Sequence, residues 1–164
     1  MKIKSILSMG LVFTGLIVGG CTYTNASAKY VGKHAIPTEL RGTWYQYDGS
    51  NKWTTYKLTK NRFKYNGKTL YSLSGKGYRK LSVKKYPKGK KYGYGGTNYV
   101  LNSLAKNDVE SLGTFWLSHK KVNGKRTLRF YLHQGVFNVL TKDKIKHKYS
   151  YVYYGQNYLG QIGK

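Results

Sequence analysis

The sequence predicts an all-β domain, an antiparallel meander closed into a barrel, with a β-sandwich as the alternative. Three observations predict it. From residue 43 nearly to the end, apolar and polar residues alternate in runs rich in Tyr, Thr, Val and Phe. Eighteen tyrosines suit half-buried pleated surfaces, where the ring packs and the hydroxyl reaches water. Asn66-Gly67 and Asn123-Gly124 are strong hairpin signals, because both central residues of a type I′ turn need positive φ.

The chain opens with a segment unlike the rest. Met1-Lys2-Ile3-Lys4 is a basic head, Ile6 to Val18 carries no charge, and small residues follow at Gly19-Gly20. That order predicts a secretion signal over residues 1–20. The apolar run is shorter than the roughly 20 residues that span a bilayer. Val18-Gly19-Gly20-Cys21 resembles a bacterial lipobox, which implies acylation of Cys21 and cleavage before it. Ala26-Ser27-Ala28 fits an ordinary cleavage site and would extend the leader to residue 28. Cys21 is the only cysteine in the chain, so it has no disulfide partner within it, and acylation accounts for a thiol at the end of the apolar run. The expected location is the outer face of the cell membrane through a lipid anchor, with free secretion as the alternative.

Residues 21–36 are small, polar and aperiodic and read as a tether, leaving one domain over 37–164. Pro37 to Arg41 suits one helical turn, with proline early and Gly42 ending it. Strands are expected at Thr43–Asp48, Trp53–Thr59, Arg62–Asn66, Lys68–Ser74, Tyr78–Lys85, Asn98–Asn102, Thr114–Lys121, Lys125–His133, Gly135–Lys142 and Lys148–Tyr154. Between them, Pro87–Gly96 is a loop of Gly, Lys and Tyr, and Ser103–Gly113 suits a short helix.

The second half predicts a register. A turn on Asn123-Gly124 puts Phe115 opposite Leu132, Leu117 opposite Phe130 and His119 opposite Leu128. A turn on Gln134-Gly135 puts Leu132 opposite Phe137, Phe130 opposite Val139 and Arg126 opposite Asp143. One face would then carry Phe115, Leu117, Leu128, Phe130, Leu132, Phe137 and Val139. The other would carry Ser118, Lys120, Arg129, His133, Asn138 and Lys142, with Trp116 beside Tyr131. A one-residue slip would exchange the faces.

Catalytic chemistry is thinly supplied. The five carboxylates are Glu39, Asp48, Asp108, Glu110 and Asp143, and no pair suggests the facing carboxyls of a glycosidase. In the expected register His119 points inward and His133 outward, with His147 in a lysine-rich turn, so a three-histidine metal site is not expected. No Ser or Thr has a recognisable base, and no phosphate-binding loop is present. The sequence therefore predicts a protein that is not an enzyme and takes no cofactor.

Charge points to a partner. Thirty Lys and Arg against five Asp and Glu give a net charge of +25, which favours anionic surfaces. Lys84, Lys85, Lys88, Lys90 and Lys91 are the candidate anion-binding residues. Basic residues interleaved with tyrosine could also grip nucleic acid. Export removes the chain from intracellular nucleic acid, and the tyrosines are spread over every strand, so that partner is disfavoured.

Leu40-Arg41-Gly42-Thr43-Trp44-Tyr45, following Pro37, resembles the Gly-x-Trp opening of lipocalins and fatty-acid-binding proteins. It is similar also to the start of small exported proteins and lipoproteins of lactic-acid bacteria. The resemblance implies a lipocalin-like barrel with Gly42 and Trp44 as its structural signature. It further implies a late arginine stacked on the tryptophan, for which Arg126 and Arg129 are the candidates. The resulting expectation is a non-catalytic envelope lipoprotein that binds anionic wall polymers such as teichoic acids, or a small apolar ligand. The alternatives are a freely secreted binding protein and an unrecognised hydrolase.

Overall fold

The computed structural model describes residues 35–76, 79–88, 94–101, 113–155 and 157–164. The leader, Cys21, most of the tether, Lys90, Lys91, Asp108, Glu110 and the expected helix up to Gly113 lie outside the described residues. Among the described residues, no helix is long and apolar enough to cross a membrane.

A 3₁₀ turn over Thr38–Leu40 leads into β1 (Gly42–Gly49), β2 (Lys52–Leu58), β3 (Arg62–Tyr65) and β4 (Lys68–Ser72). These four form one antiparallel sheet in sequence order. β5 (Val83–Tyr86), β6 (Asn98–Leu101), β7 (Thr114–Val122), β8 (Lys125–Tyr131), β9 (Val136–Leu140) and β10 (Tyr151–Val152) form a second antiparallel sheet, again in order. A second 3₁₀ turn spans Tyr158–Gln161. Every expected strand is present. The fifth and tenth are shorter than their sequence patterns, starting at Val83 and Tyr151.

The sheets are separate ladders and do not close into a continuous barrel. They touch at single bridges on both sides. Tyr45 and Thr141 exchange backbone hydrogen bonds of 2.8 and 2.9 Å, and Leu81 donates to the Ser72 carbonyl at 2.8 Å beside the Ser72–Lys80 bridge.

The turns follow local sequence. Asn66-Gly67 and Asn123-Gly124 have positive φ at both positions, as does Ser50-Asn51 between β1 and β2. Gln134-Gly135 also turns with two positive φ values, and Val136 donates to the His133 carbonyl at 2.9 Å. Leu132, however, donates to the Val136 carbonyl. The extra residue is a bulge, and it slips β8 against β9 by one.

The slip corrects the expected faces. Tyr131 now pairs with Phe137, Phe130 with Asn138, Arg129 with Val139 and Leu128 with Leu140. Phe137 and Val139 therefore leave the face of Phe115, Leu128 and Phe130, and Leu140 and Asn138 replace them. Leu132, expected in the core, is 41% exposed. β7 and β8 keep the expected register only at the turn, where Lys121 faces Arg126. Ser118, His119 and Lys120 then bulge opposite Thr127, so Phe115 faces Phe130 and Leu117 faces Leu128. His119 is consequently exposed rather than inward. Arg126 does not meet Asp143; Lys125 takes that carboxylate at 2.9 Å. The Arg126 guanidinium instead donates to the Leu117 and Ser118 carbonyls at 2.7 and 2.9 Å, satisfying backbone that the bulge leaves unpaired.

The main core lies between the sheets. Trp44, Leu58 and Phe63 from the first meet Phe115, Leu128, Phe130 and Leu140 from the second. Phe115 stacks on Phe130 at 5.0 Å between centroids, and Phe63 meets Phe115 edge-on at 6.1 Å. Ile36, placed in the tether by the sequence, is fully buried in this core. A second cluster sits on the outer side of the second sheet. There Trp116 and Phe137 are covered by Tyr151, Tyr158, Leu159 and Ile162.

Candidate anion-binding groove

The two signature residues and the described lysines expected to bind anions, Lys84, Lys85 and Lys88, occupy different places; Lys90 and Lys91 lie outside the described residues. Gly42 begins β1 at φ +132, a backbone angle that favours glycine. It turns the chain from the 3₁₀ segment into the strand. Trp44 is buried and donates through Nε1 to the Leu40 carbonyl at 2.9 Å. Neither Arg126 nor Arg129 stacks on it. Lys142 does, with Nζ 3.6 Å from the ring centroid and a 3.1 Å bond to the Arg41 carbonyl. Burial lowers the proton affinity of this lysine.

Lys84, on β5, lies 5.0 Å over the Tyr86 ring. Lys85 on β5 and Lys88 in the following turn are exposed. All three are at the far edge of the second sheet from β10. The structure does not gather them around a pocket.

The basic concavity lies elsewhere, on the outer face of β7, β8 and β9. It is a groove of about 320 Å³ with Thr127, Arg129 and Val139 in its floor. Tyr149 and Tyr151 form a wall, and Lys120 and Lys121 border it where the β7 bulge carries both lysines to one rim. Thr127 secures the bulge by donating to the Lys120 carbonyl at 3.2 Å. Ser150 accepts from the Val139 backbone at 3.1 Å and holds the segment that bears the tyrosines.

Arg129 is the centre of this groove. It is only 8% exposed, yet no carboxylate of the described residues is paired with it. Among the described residues, Glu39 accepts from Tyr99, Asp48 from Thr54 and Asp143 from Lys125. The Arg129 guanidinium makes one long 3.4 Å contact to the Tyr151 hydroxyl and stands 5.8 Å from that ring. Its Nε is buried without an acceptor. Buried cations are usually paired, so this one is an anomaly that an incoming anion would resolve.

Sequence alternation placed Arg129 and Lys120 on one face but did not mark them as a site. A signal was present: Trp116 and Tyr131 share that face, and two large aromatics there imply that something covers it. His119, His133 and His147 are exposed, and no three metal-ligating side chains converge among the described residues.

Compared with known proteins, the chain matches no family model, no curated protein and no solved structure.

Proposed function

We propose that this protein is a non-catalytic binding module of the cell envelope, held at the outer membrane face by acylated Cys21 and directed at anionic wall polymer. The charge carries the reading. Thirty basic side chains face five acidic ones, and each described carboxylate already has a partner. The excess cannot be neutralised within the chain, and it raises the local concentration of polyanions. A lipobox cysteine and a basic surface reinforce one another at a membrane, since acyl chains and charge contribute additively.

The Tyr45–Thr141 contact and Lys142 on Trp44 support the two sheets as a lipocalin-like barrel with short seams. The interior does not favour an apolar ligand, because Trp44, Phe63, Phe115 and Phe130 occupy the space between the sheets. Anion binding therefore falls to the outer surface.

Release from cell walls in rising salt tests the charge. Elution as ionic strength increases is expected, and retention unchanged at high salt overturns it. Mass spectrometry of the mature N-terminus tests the anchor. Diacylglyceryl Cys21 is expected, whereas a free N-terminal Lys29 leaves a secreted protein.

A further inference from the structure

We propose that the Arg129 groove is a subsite for a phosphodiester group of a linear polyol-phosphate chain. The inference rests on the envelope-binding reading and gives it an address. Its basis is the guanidinium itself, enclosed by Thr127, Val139 and Tyr151 and lacking any acidic partner among the described residues. One contact of 3.4 Å to a neutral hydroxyl leaves its Nε without an acceptor. The Nε and Nη hydrogens of an arginine form a planar fork that matches two oxygens of one oxyanion. A phosphodiester offers two such non-bridging oxygens and a single negative charge, so it neutralises one guanidinium without leaving a surplus.

The surroundings favour a polymer over an isolated ion. Lys120 and Lys121 stand exposed on the rim, where they meet the neighbouring phosphates of a chain threaded through the groove. Tyr149 and Tyr151 line the groove and carry hydroxyls that can bond to the oxygens of such a chain. The candidate lysines of β5 lie at the opposite side of the sheet and contribute only long-range attraction. Tyr151 belongs to the two-residue strand β10 at the edge of the sheet, paired with β9 on one side.

Calorimetric titration of the full chain with a glycerol-phosphate oligomer tests this, with inorganic phosphate and phosphatidylglycerol vesicles as comparison probes. Arg129→Met should weaken oligomer binding by about tenfold or more, the scale of a lost charge-assisted bond. The β5 pair Lys84→Ala/Lys85→Ala should weaken it much less. Should Arg129→Met fail to fold, the exposed rim pair Lys120→Ala/Lys121→Ala replaces it, and unchanged affinity there overturns the subsite. If Arg129→Met binds like the parent while salt still abolishes binding, the subsite falls and the charge-driven reading stands. No binding by the parent chain overturns both. Tighter binding to the vesicles than to the oligomer overturns the polymer as the source of the phosphate.

Discussion

The Lys142 ammonium lies 3.6 Å from the centroid of the Trp44 ring and donates at 3.1 Å to the Arg41 carbonyl. Trp44 in turn donates to Leu40, so two side chains satisfy the carbonyls at the end of the 3₁₀ turn. The contact joins the first strand to the residue pair after β9. Desolvation works against the charged lysine, while the ring quadrupole and the carbonyl work for it.

Lys142→Ala should therefore destabilise the domain by about 1–2 kcal/mol in denaturant melts, and Lys142→Arg should retain most of the stability. Gly42→Ala should cost about 1–3 kcal/mol from its positive φ alone. A Cβ there would also fall on the Lys142 ammonium. The double variant Gly42→Ala/Lys142→Ala should consequently be less damaging than the sum of the two single changes. Strict additivity would show that the two positions do not touch.

The bulge in β7 depends on one side chain from β8. Arg126→Ala should cost about 1–2 kcal/mol and raise amide exchange through residues 117–121. Arg126→Lys should recover only part of the loss, because a single ammonium cannot reach both carbonyls in the arginine's planar geometry. Unchanged exchange in Arg126→Ala would mean that the bulge holds itself.

The one-residue slip between β8 and β9 makes opposite forecasts for two apolar residues. Phe137→Ala should destabilise by about 3–5 kcal/mol, since the ring is fully buried against Trp116, Tyr131 and Tyr151. Leu132→Ala should change stability by no more than about 0.5 kcal/mol. A large loss at Leu132 would restore the unbulged register.

Alkaline titration should separate the tyrosines. Burial raises the pKa of Tyr56, and burial with the bond to Glu39 raises that of Tyr99. Tyr131 is pushed up to about 12, chiefly by burial and then by its bond to Tyr158. All three hold their protons more tightly folded than unfolded. Their contribution is fully present below the ordinary tyrosine pKa of about 10 and is lost as pH rises through the folded values. Phenolate absorbance of Tyr56, Tyr99 and Tyr131 should thus appear late in the titration, together with cooperative unfolding. A single wave near pH 10 from the intact fold would contradict this.

Much of this protein was legible without coordinates. Alternation located all ten strands because the two-residue period of a strand is a local property. Asn66-Gly67 and Asn123-Gly124 located turns because positive φ is a property of single residues. The same local logic put Arg129 and Lys120 on one face.

Tertiary structure decided the rest. Gln134-Gly135 makes the turn that its residues suggest. The bulge beside it moves Phe137 to a cluster completed by Ile162 and Leu159 from the chain's far end. Lys142 reaches Arg41, 101 residues away in sequence, because the end of β9 lies against β1. Arg129 acquires its burial from Tyr151 across two strand pairings. Register, burial and an unpaired charge depend on which distant side chains compete for the same space, and no short window of sequence contains both competitors.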